Sequence, residues 1–563
     1  MSKGSAESYL NYQQLSDMLS QLAADHPHIM QLQSIGKSFE NRDIWLISLT
    51  RFASGPADEK PALWIDANIH SSELVSSMAA LNFIQWILNN KDDTEIQRCL
   101  DTRTLYIVPR VNPDGAEWAL APVPRLVRSG TRPYPYNEML VDGLDVRDMD
   151  GDGRILSMRI VDPHGPWKIS EADPRLLVRR DPVETGGTYY RLLPEGHIRN
   201  YDGFHLPAAS KKENLDFNRN FPVQWRNEQQ QKGAGDYPVS EPEIRAVMDF
   251  VSRHPNICAG LSLHSFSGVL LRPYSFKDDN EMPAEDLWLY QAIGKQGEKL
   301  TGYPAVSAYH DFRYHPQEVI TGAMDDWLYD NSGQLAWTVE LWSPHREAGI
   351  EMNDFIDWYR EHPLEDDLKL LKWNDDQLDG EGFVNWYPYQ HPQLGEVELG
   401  GWNVLYTFWN PPTNKLQQEI DRLPGWLLWH TLITPRLEWL HCEAHTLDND
   451  TYQIDVGVVN SGWLPSQVTR HALKNKLVRG VIFEIEADSD IELLQGKHRV
   501  ETHQLSGRHE TSSSPNMWLG QNGDSSDDRI RMQWLVKTSR ATKLKITVKH
   551  ERAGTLRQQL TLD

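Results

Sequence analysis

The stretch Pro61-Ala-Leu-Trp-Ile-Asp-Ala-Asn-Ile-His-Ser-Ser-Glu73 joins an apolar run of strand length to a helix. Apolar residues recur at helical spacing beyond it, which predicts a strand, a tight turn and a helix. His70 and Glu73 stand three residues apart at the turn, where an imidazole and a carboxylate can converge on one metal ion. The alternative interpretation is a simple helix start, with one of the two serines as cap and the glutamate favoured by the helix dipole. A metal site requires a third ligand from elsewhere.

Size and composition limit the class of protein. The 563 residues are enough for two or three domains, and an apolar content of 39% is typical of a globular protein. No apolar run approaches the length of a membrane span, and the first residues show no signal-peptide pattern. Three widely spaced cysteines predict no disulfide framework. We therefore expect a cytoplasmic protein without a membrane span.

The formal charge of −24 argues against a nucleic-acid partner, because binding phosphates requires a basic face. The same charge is compatible with cationic or neutral substrates, and surface solubility explains it equally well.

Strands and helices alternate over the first two thirds of the chain. Apolar runs of strand length recur at Thr104–Val111, Ile257–His264 and Gln334–Trp342, with helical patterns between them. This alternation predicts an α/β fold, with a mixed sheet of much parallel character sandwiched by helices. The tetrapeptide Asn112-Pro-Asp-Gly115 is predicted to be a turn.

The domain organisation follows from changes in this pattern. The α/β pattern predicts a catalytic domain over residues 1–375, interrupted at about 129–213 by an insertion rich in Pro, Gly and Asp. Residues 376–436 read as a connecting segment. Short β runs separated by turn residues over 437–563 predict a β-sandwich of immunoglobulin-like size.

Two further residues complete a candidate metalloenzyme site. His264 ends a buried apolar strand, the edge of an α/β sheet where sites gather, and is the candidate third ligand. The alternative is a single hydrogen-bonded histidine. Glu340 lies inside the apolar run Ala336-Trp-Thr-Val-Glu-Leu-Trp342, where an uncompensated carboxylate is costly, so it is a candidate general base. A buried ion pair is its alternative interpretation.

Asn218 and Arg219 are adjacent in Leu215-Asp-Phe-Asn-Arg-Asn-Phe221. A guanidinium beside amides suits charge-assisted, bidentate recognition of a carboxylate. The alternative is a polar turn.

The order of these pieces resembles the zinc metallocarboxypeptidases, the family of carboxypeptidases A and B. The resemblance covers about residues 8 to 372, the insertion apart. Six phrases carry it: Gly36-Lys-Ser…Arg42-Asp-Ile, Ile69-His-Ser-Ser-Glu73, Asn112-Pro-Asp-Gly115, Asp216-Phe-Asn-Arg-Asn220, Ser262-Leu-His-Ser-Phe-Ser267 and Trp337-Thr-Val-Glu-Leu341.

The resemblance implies a role for each matching residue. It makes His70, Glu73 and His264 the ligands of a zinc ion, with water completing the shell, and Glu340 the general base. The implied activity is hydrolysis of the C-terminal peptide bond of peptides or proteins, promoted by the metal.

Substrate contacts are implied in the same way. Asn218 and Arg219 would grip the terminal carboxylate of the substrate. The spacing Arg125-Leu-Val-Arg128 matches the family phrase that supplies an oxyanion arginine, which gives Arg128 that role.

Three positions concern specificity. Asp325, in Gly322-Ala-Met-Asp-Asp-Trp327, is similar to the aspartate at the base of a B-type pocket, which implies a preference for basic C-terminal residues. A helix-capping pair of aspartates is the alternative. Tyr314 is the nearest candidate for the substrate-capping tyrosine. Where the family has a subsite arginine, this chain has Ser72.

The loop Asp148-Met-Asp-Gly-Asp-Gly-Arg154 spaces Asp148, Asp150 and Asp152 as in the first half of a calcium loop. Its twelfth position is Arg159 rather than a glutamate. The two interpretations are a calcium site completed by other carboxylates and an acidic, solvated loop.

Two other functions remain open. A zinc amidase or deacylase of the same fold would act on cell-wall or modified peptides. An inactive binding module would keep the fold but lack a ligand or the base, and none of these residues is missing from the chain.

Overall fold

The computed structural model describes residues 9–135, 142–209, 211–315, 317–352, 355–448, 450–487, 490–510 and 526–562. Its helices are α1 Tyr12–Asp25, α2 Leu74–Asn89, α3 Thr94–Thr102, α4 Pro113–Ala119, α5 Pro242–Arg253, α6 Ala284–Thr301, α7 Ala308–Asp311, α8 Met324–Ser332, α9 Pro344–Glu347, α10 Leu364–Gln377, α11 Thr413–Ile420, α12 Pro424–Leu432 and α13 Arg470–Asn475.

The strands are β1 Met30–Lys37, β2 Asp43–Leu49, β3 Ala62–Ala67, β4 Thr104–Val108, β5 Gly143–Val146, β6 Ser157–Val161, β7 Trp167–Ile169, β8 Leu177–Arg179, β9 Tyr190–Pro194, β10 Gly196–Arg199, β11 Ile257–Ser265, β12 Val269–Arg272, β13 Ala305–Ser307, β14 Leu335–Leu341, β15 Phe383–His391, β16 Gly395–Trp402, β17 Leu437–Asp448, β18 Thr451–Asn460, β19 Ile482–Ala487, β20 Glu492–Gln495, β21 Arg499–Glu501, β22 Arg529–Lys537, β23 Thr542–His550 and β24 Gly554–Leu562.

An eight-stranded sheet forms the centre of the molecule, in the order β1-β2-β4-β3-β11-β14-β12-β13. The central strands β4, β3, β11 and β14 are parallel to one another, whereas β1, β2 and β12 add antiparallel pairs at the two sides. Strands β3, β4 and β11 are buried along their whole length, which explains their continuous apolar sequences. The predicted mixed α/β sheet is confirmed.

Helices cover both faces of this sheet because side chains alternate along each strand. In β3, Leu63 and Ile65 pack into one core with α2, α6 and α12. Trp64 of the same strand packs on the opposite side with α5 and α8. The carboxyl ends of β3, β11 and β14 meet at one edge, and the turn between β3 and α2 lies there.

The predicted insertion and the predicted connecting segment contribute strands to one sheet. Its order is β15-β16-β6-β9-β7-β8, with β16 antiparallel to β6. Helix α12, also from 376–436, packs its Trp426 and Leu427 into the core of the central sheet. Residues 376–436 therefore pack against both the insertion and the central sheet.

The described residues between 437 and 562 include two four-stranded sheets, β17-β18-β22-β20 and β21-β19-β23-β24. Apolar residues of both sheets share one core, including Val456 and Trp534 from the first and Phe483 and Ile546 from the second. Two sheets packed through one core agree with the predicted sandwich architecture. Among the described residues, no helix has the length and apolar character to cross a bilayer.

One alternative interpretation and one local prediction are wrong. Neither Ser71 nor Ser72 caps helix α2, whose N-cap is Glu73 without a capping side-chain hydrogen bond. The Ser71 hydroxyl donates instead to the carbonyl of Val127. Asn112-Pro-Asp-Gly115 is not an isolated turn but the start of α4, with Asn112 as N-cap.

Candidate metal site and substrate cleft

Three buried side chains converge at the carboxyl edge of the central sheet. His70 and Glu73 come from the turn between β3 and α2, and His264 lies near the end of β11. Nδ1 of His70 is 2.8 Å from Oε1 of Glu73, and Nδ1 of His264 is 3.1 Å from Oε2 of Glu73. The two Nδ1 atoms are 3.1 Å apart. The candidate ligand atoms of all three residues thus face one another.

The outer ring nitrogens of both histidines face hydrogen-bond acceptors. Nε2 of His70 lies 3.1 Å from Oδ1 of Asp216. Nε2 of His264 lies 3.1 Å from Oγ of Ser262, whose hydroxyl donates to Oδ1 of Asp66 at 2.7 Å. Each Nε2 is therefore assigned the ring proton, and each Nδ1 keeps its lone pair.

This tautomer assignment tests whether the three residues fit a metal ion. Two nitrogen lone pairs and a carboxylate repel one another at about 3 Å unless a cation lies between them. Burial also lowers the pKa of His264, which favours the neutral, ligating form of the ring. Two neutral imidazoles, each held from behind by a hydrogen bond, and one carboxylate are a suitable donor set for a divalent metal.

Asp216, which contacts His70, and Asp66, which contacts His264 only through Ser262, were not assigned roles from the sequence. Burial alone would raise the pKa of Asp216, but Arg219 and Arg128 hold it well below its usual value. Burial raises the pKa of Asp66 to about 7, opposed by hydrogen bonds from Ser262 and Trp64. A carboxylate inside an apolar strand, the signal that indicated Glu340, would also have found Asp66.

Glu340 lies directly opposite His264 in the parallel register of β11 and β14. It is the residue of β14 that is only partly buried, and it lines a cavity. Burial raises the pKa of Glu340 well above its usual value, and the charge of Glu73 raises it further, against the opposing effect of Arg128. Among the described residues, no cationic nitrogen lies within 4.0 Å of its carboxylate, so the buried ion pair considered as its alternative does not form.

Arg128, in the loop after α4, contacts one of the candidate ligands, Glu73, and the carboxylate of Asp216. Its Nε is 3.1 Å from Oδ2 of Asp216, and its Nη1 is 3.4 Å from Oε1 of Glu73. Its side chain is 41% exposed, so the guanidinium can also meet a group that enters from solvent.

Asn218 and Arg219 lie together in a buried helical turn, Phe217–Arg219. Oδ1 of Asn218 accepts a hydrogen bond from the backbone N–H of Met324 at 2.9 Å, and Nη1 of Arg219 donates to the Asn218 carbonyl at 2.7 Å. Nη2 of Arg219 is 3.9 Å from the same Asp216 oxygen that Arg128 contacts. The two arginines therefore flank Asp216.

Asp325 is buried in the first turn of α8. Burial raises its pKa, opposed by hydrogen bonds from the backbone N–H of Asp326 and from Thr338 and by the charge of Arg219. In the described part of the chain, no lysine or arginine nitrogen lies within 4.0 Å of its carboxylate. The neighbouring Asp326 accepts from the backbone N–H of Ser275 instead.

A cavity of about 370 Å³ opens beside the candidate ligands, Glu340 and Arg128. Its described lining is His70, Ser72, Glu73, Leu126, Val127, Arg128, Lys211, Ser265, Phe266, Ser267, Phe312, Tyr314, Glu340, Phe355, Ile356, Tyr359 and Trp409. It thus brings together two of the three predicted metal ligands, His70 and Glu73, with Glu340 and Arg128, whereas His264 is not in this described lining. Tyr314 also lines it and is 46% exposed. Asn218, Arg219 and Asp325 are not among the described lining residues.

Sequence reasoning missed Lys211 and Trp409 in this lining. Lys211 lies in the last part of the insertion, and burial and the charge of Arg128 lower its pKa. Neither residue lies in a local pattern that indicates a site, because folding brings both to the cavity from distant parts of the chain.

The Asp-rich loop is held by its own hydrogen bonds. Asp148 accepts from the backbone N–H groups of Gly151 and Gly153, and Asp152 pairs with Arg154. The carboxylates that cluster are those of Asp148, Asp150 and Glu195, so Asp152 is not part of the group. Glu195 accepts from two backbone N–H groups. These bonds account for the loop conformation, and calcium is not supported by the similarities to known proteins.

Similarities to known proteins were found by sequence and by structure. A family model for zinc carboxypeptidases matches residues 15–148 and 191–359, more than half of the chain. The interval between the two ranges lies inside the segment predicted as an insertion. A second model, a domain of unknown function (DUF8731), matches residues 436–561.

Individual relatives are distant. Carboxypeptidase A1 of Rattus norvegicus is 24% identical over 349 residues, covering 61% of this chain and 63% of the relative. Carboxypeptidase A1 of Sus scrofa is 25% identical over 341 residues, covering 59% and 62%. The chain thus spans less than two thirds of the length of these relatives. A crystal structure of carboxypeptidase A from Helicoverpa armigera overlaps 65% of this chain and 72% of its own, at 18% identity and a TM-score of 0.38.

The two matched ranges contain all eight strands of the central sheet. They also contain the site residues His70, Glu73, His264 and Glu340 and the pair Asn218–Arg219. The chain belongs to the zinc carboxypeptidase family.

Proposed function

We propose that the protein is a zinc-dependent metallocarboxypeptidase that removes the C-terminal residue of peptides or proteins. One observation carries the proposal: two Nδ1 lone pairs and a carboxylate converge in a cleft beside the partly exposed Glu340. A zinc ion held by His70, Glu73 and His264 supplies Lewis-acid activation of water and of the scissile carbonyl when it is bound.

In this proposal Glu340 moves the proton. Its carboxylate accepts a proton from the attacking water and later delivers it to the leaving amine. A pKa raised by burial suits both steps, because the group is then a better base than an exposed glutamate and the proton it takes is retained until the amine forms.

Arg128 is proposed to stabilise the charge that develops on the carbonyl oxygen. Its guanidinium is held at the ligand cluster by Asp216 and Glu73 while part of its surface stays exposed to the cleft. A donor fixed before the reaction stabilises the oxyanion without reorganisation. Tyr314, which also lines the cleft, is proposed to cover the bound substrate.

Asn218 and Arg219 are proposed to bind the terminal carboxylate of the substrate. Arg219 lies 3.9 Å from the Asp216 carboxylate, farther than Arg128 at 3.1 Å, so its guanidinium is the less tightly paired of the two. This role requires a free C-terminus and separates a carboxypeptidase from an amidase of the same fold.

We also propose a preference for basic C-terminal residues. Asp325 is buried without a cation within 4.0 Å in the described chain, and burial raises its pKa. A lysine or arginine side chain of the substrate would supply the missing counter-charge.

The test uses four peptides that differ only in their last residue, arginine or phenylalanine, and in a free or amidated C-terminus. We expect release of the last residue from the free acids only, faster for arginine, and no release after zinc is chelated. Cleavage of the amides would favour the amidase alternative, and faster release of phenylalanine would contradict the role of Asp325. A protein that binds these peptides without cleaving them would be the inactive module.

A further inference from the structure

One wall of the cleft comes from a segment beyond the part of the chain that matches the family model. The helical turn Leu405–Trp409 follows β16, whereas the family match ends at residue 359. Trp409 lines the cleft, and its carbonyl accepts a hydrogen bond from Oγ of Ser265 at 2.6 Å. Ser265 directly follows His264, so this tryptophan is anchored beside a candidate metal ligand.

The residue after Trp409 is fixed by side-chain hydrogen bonds to the residues around Glu73. Asn410 is fully buried, and its Oδ1 accepts from the backbone N–H of Val75 at 2.8 Å. Its Nδ2 donates to the carbonyls of Ser72 at 2.7 Å and Leu405 at 2.9 Å. Because Ser72 and Val75 flank Glu73, the segment is bonded both to the β3–α2 turn, which carries His70 and Glu73, and to the end of β11, which carries His264.

Aromatic side chains line the same cleft as Trp409. Phe266 and Tyr359 line the same cavity, with ring centroids 5.8 Å apart in an edge-on contact. Phe266 also contacts Phe408, the neighbour of Trp409, at 6.5 Å. Ser72, which lines the cleft nearby, has a short uncharged side chain. This part of the cleft therefore offers apolar ring surface.

The position of this surface indicates which substrate residue meets it. The proposed carboxylate anchor, Asn218 and Arg219, lies behind Asp216 and is not among the described lining residues. The terminal residue of a substrate must point toward that anchor. The open part of the cleft, with Trp409 as one wall, is then left for the residues that precede the scissile bond.

We infer that Trp409 forms the subsite for the penultimate residue of the substrate and favours an aromatic or large apolar side chain there. The inference rests on the proposed carboxypeptidase function and adds to it a specificity-determining residue from outside the family match. The tryptophan ring offers the largest apolar face of any side chain. The backbone carbonyl and N–H of Trp409 are both hydrogen-bonded, to Ser265 and Val404, so little backbone ordering is needed when a substrate ring packs against it.

The experiment compares N-terminally blocked peptides that share one cleavable C-terminal residue and carry phenylalanine, alanine or glutamate before it. For the wild type we expect kcat/KM to be highest for phenylalanine. In the Trp409→Leu variant, which keeps apolar volume but loses the ring, the phenylalanine-to-alanine ratio should fall roughly three- to tenfold. The alanine peptide should be cleaved at nearly the wild-type rate, and Trp409→Phe should retain most of the ratio.

Trp288→Leu is the matched control, because Trp288 is 49% exposed on α6 and does not line the cleft. It should leave the ratio unchanged, and thermal melts check that each variant is folded. An unchanged ratio in Trp409→Leu, or a wild type that does not discriminate among the three peptides, would overturn the subsite. Failure to cleave any of the peptides would instead contradict the proposed function itself.

Discussion

Asp216 is a single carboxylate that contacts three site residues. It accepts from Nε2 of His70, from the backbone N–H of Asn218 and from Nε of Arg128. The first contact assigns the tautomer of His70, and therefore the lone pair on Nδ1 that a metal needs. A substitution here is expected to act on the candidate metal site without removing a candidate ligand.

We expect Asp216→Asn to weaken zinc binding roughly 10- to 100-fold. An asparagine amide turned toward Nε2 would donate to it, which moves the ring proton of His70 to Nδ1 and removes the ligand lone pair. Titration against a chromophoric zinc chelator measures the change. The control is Asp173→Asn, at a partly buried ion pair with Arg175 that lies outside the site. Equal zinc affinity in the two variants would contradict the tautomer assignment.

Charged residues inside apolar strands are the part of the site that the sequence makes visible. Glu340 and Asp66 each interrupt a run that is otherwise buried, and burial raises the pKa of both carboxyls. Asp325 and Asp326 are ambiguous from sequence because they are adjacent, buried and equally acidic. Only the packing of α8 distinguishes them, by directing Asp326 to the backbone of Ser275.

At the scale of elements, long apolar runs predict their own structure and short polar motifs do not. Strands β3, β11 and β14 are where their sequences predict them. Asn112-Pro-Asp-Gly115 is the counterexample, since a proline after an asparagine starts a helix as readily as a turn. The Asn112 side chain accepts from the Gly115 N–H at 2.9 Å, and the continuing chain completes α4.

The turn Leu405–Trp409 is an element whose position depends on one side chain. Asn410→Ala would leave the Val75 N–H and the Ser72 carbonyl without their buried partners, so we expect a loss of about 2–4 kcal/mol in the free energy of unfolding. Urea unfolding measures it. Asn414→Ala, which removes one exposed hydrogen bond to the Gln377 carbonyl, is the control and should cost well under half as much. Similar losses would show that Asn410 does not anchor the segment.

At the scale of the whole molecule, the sequence does not show which distant segments pair with each other. Local composition identifies 129–213 as irregular and 376–436 as a connection, yet β16 pairs with β6 across more than two hundred residues. Short strands of mixed polarity carry no signal of which strand they pair with, because pairing is decided by burial on assembly. The sequence likewise carries no signal that the C-terminal sheets contact the central sheet, as they do between Arg552 and Cys258.

Arg552 lies at that contact and is buried. Its Nη1 donates to the carbonyls of Gly333 and Gln467, both at 2.8 Å, and burial lowers its pKa to about 10. We expect Arg552→Met to lower the free energy of unfolding by roughly 2 kcal/mol or more, because two buried carbonyls lose a donor. The exposed pair Arg557–Glu59 supplies the control, since Arg557→Met should cost less than about 1 kcal/mol. Equal stability of the two variants in urea would contradict a structural role for Arg552.

His550 makes the stability of the molecule depend on pH. Burial, with the charge of Arg552, lowers its pKa to about 3, and its Nδ1 accepts from two backbone N–H groups. Between that value and the unfolded pKa of about 6.5, only the unfolded chain binds the proton. The contribution of His550 to the free energy of unfolding should therefore have its full value above about pH 6.5. It should fall as the pH is lowered below that value.

His550→Asn keeps an acceptor for these N–H groups but does not titrate. We expect it to lose less stability than the wild type, by about 2 kcal/mol or less, when urea unfolding is compared at about pH 7.5 and about pH 5. His445→Asn, at a half-exposed position, should behave as the wild type does. A pH dependence unchanged by His550→Asn would assign the effect to other groups.

The central claim is that His70, Glu73 and His264 hold the metal on which peptide hydrolysis depends. Its most direct test is a zinc titration of chelator-treated protein, followed by release of the C-terminal residue from a peptide with a free C-terminus. We expect no release before zinc is added, a rise that saturates at about one zinc per chain, and no rise in His264→Gln. Full activity of the chelated protein, or equal recovery in His264→Gln, would contradict the account.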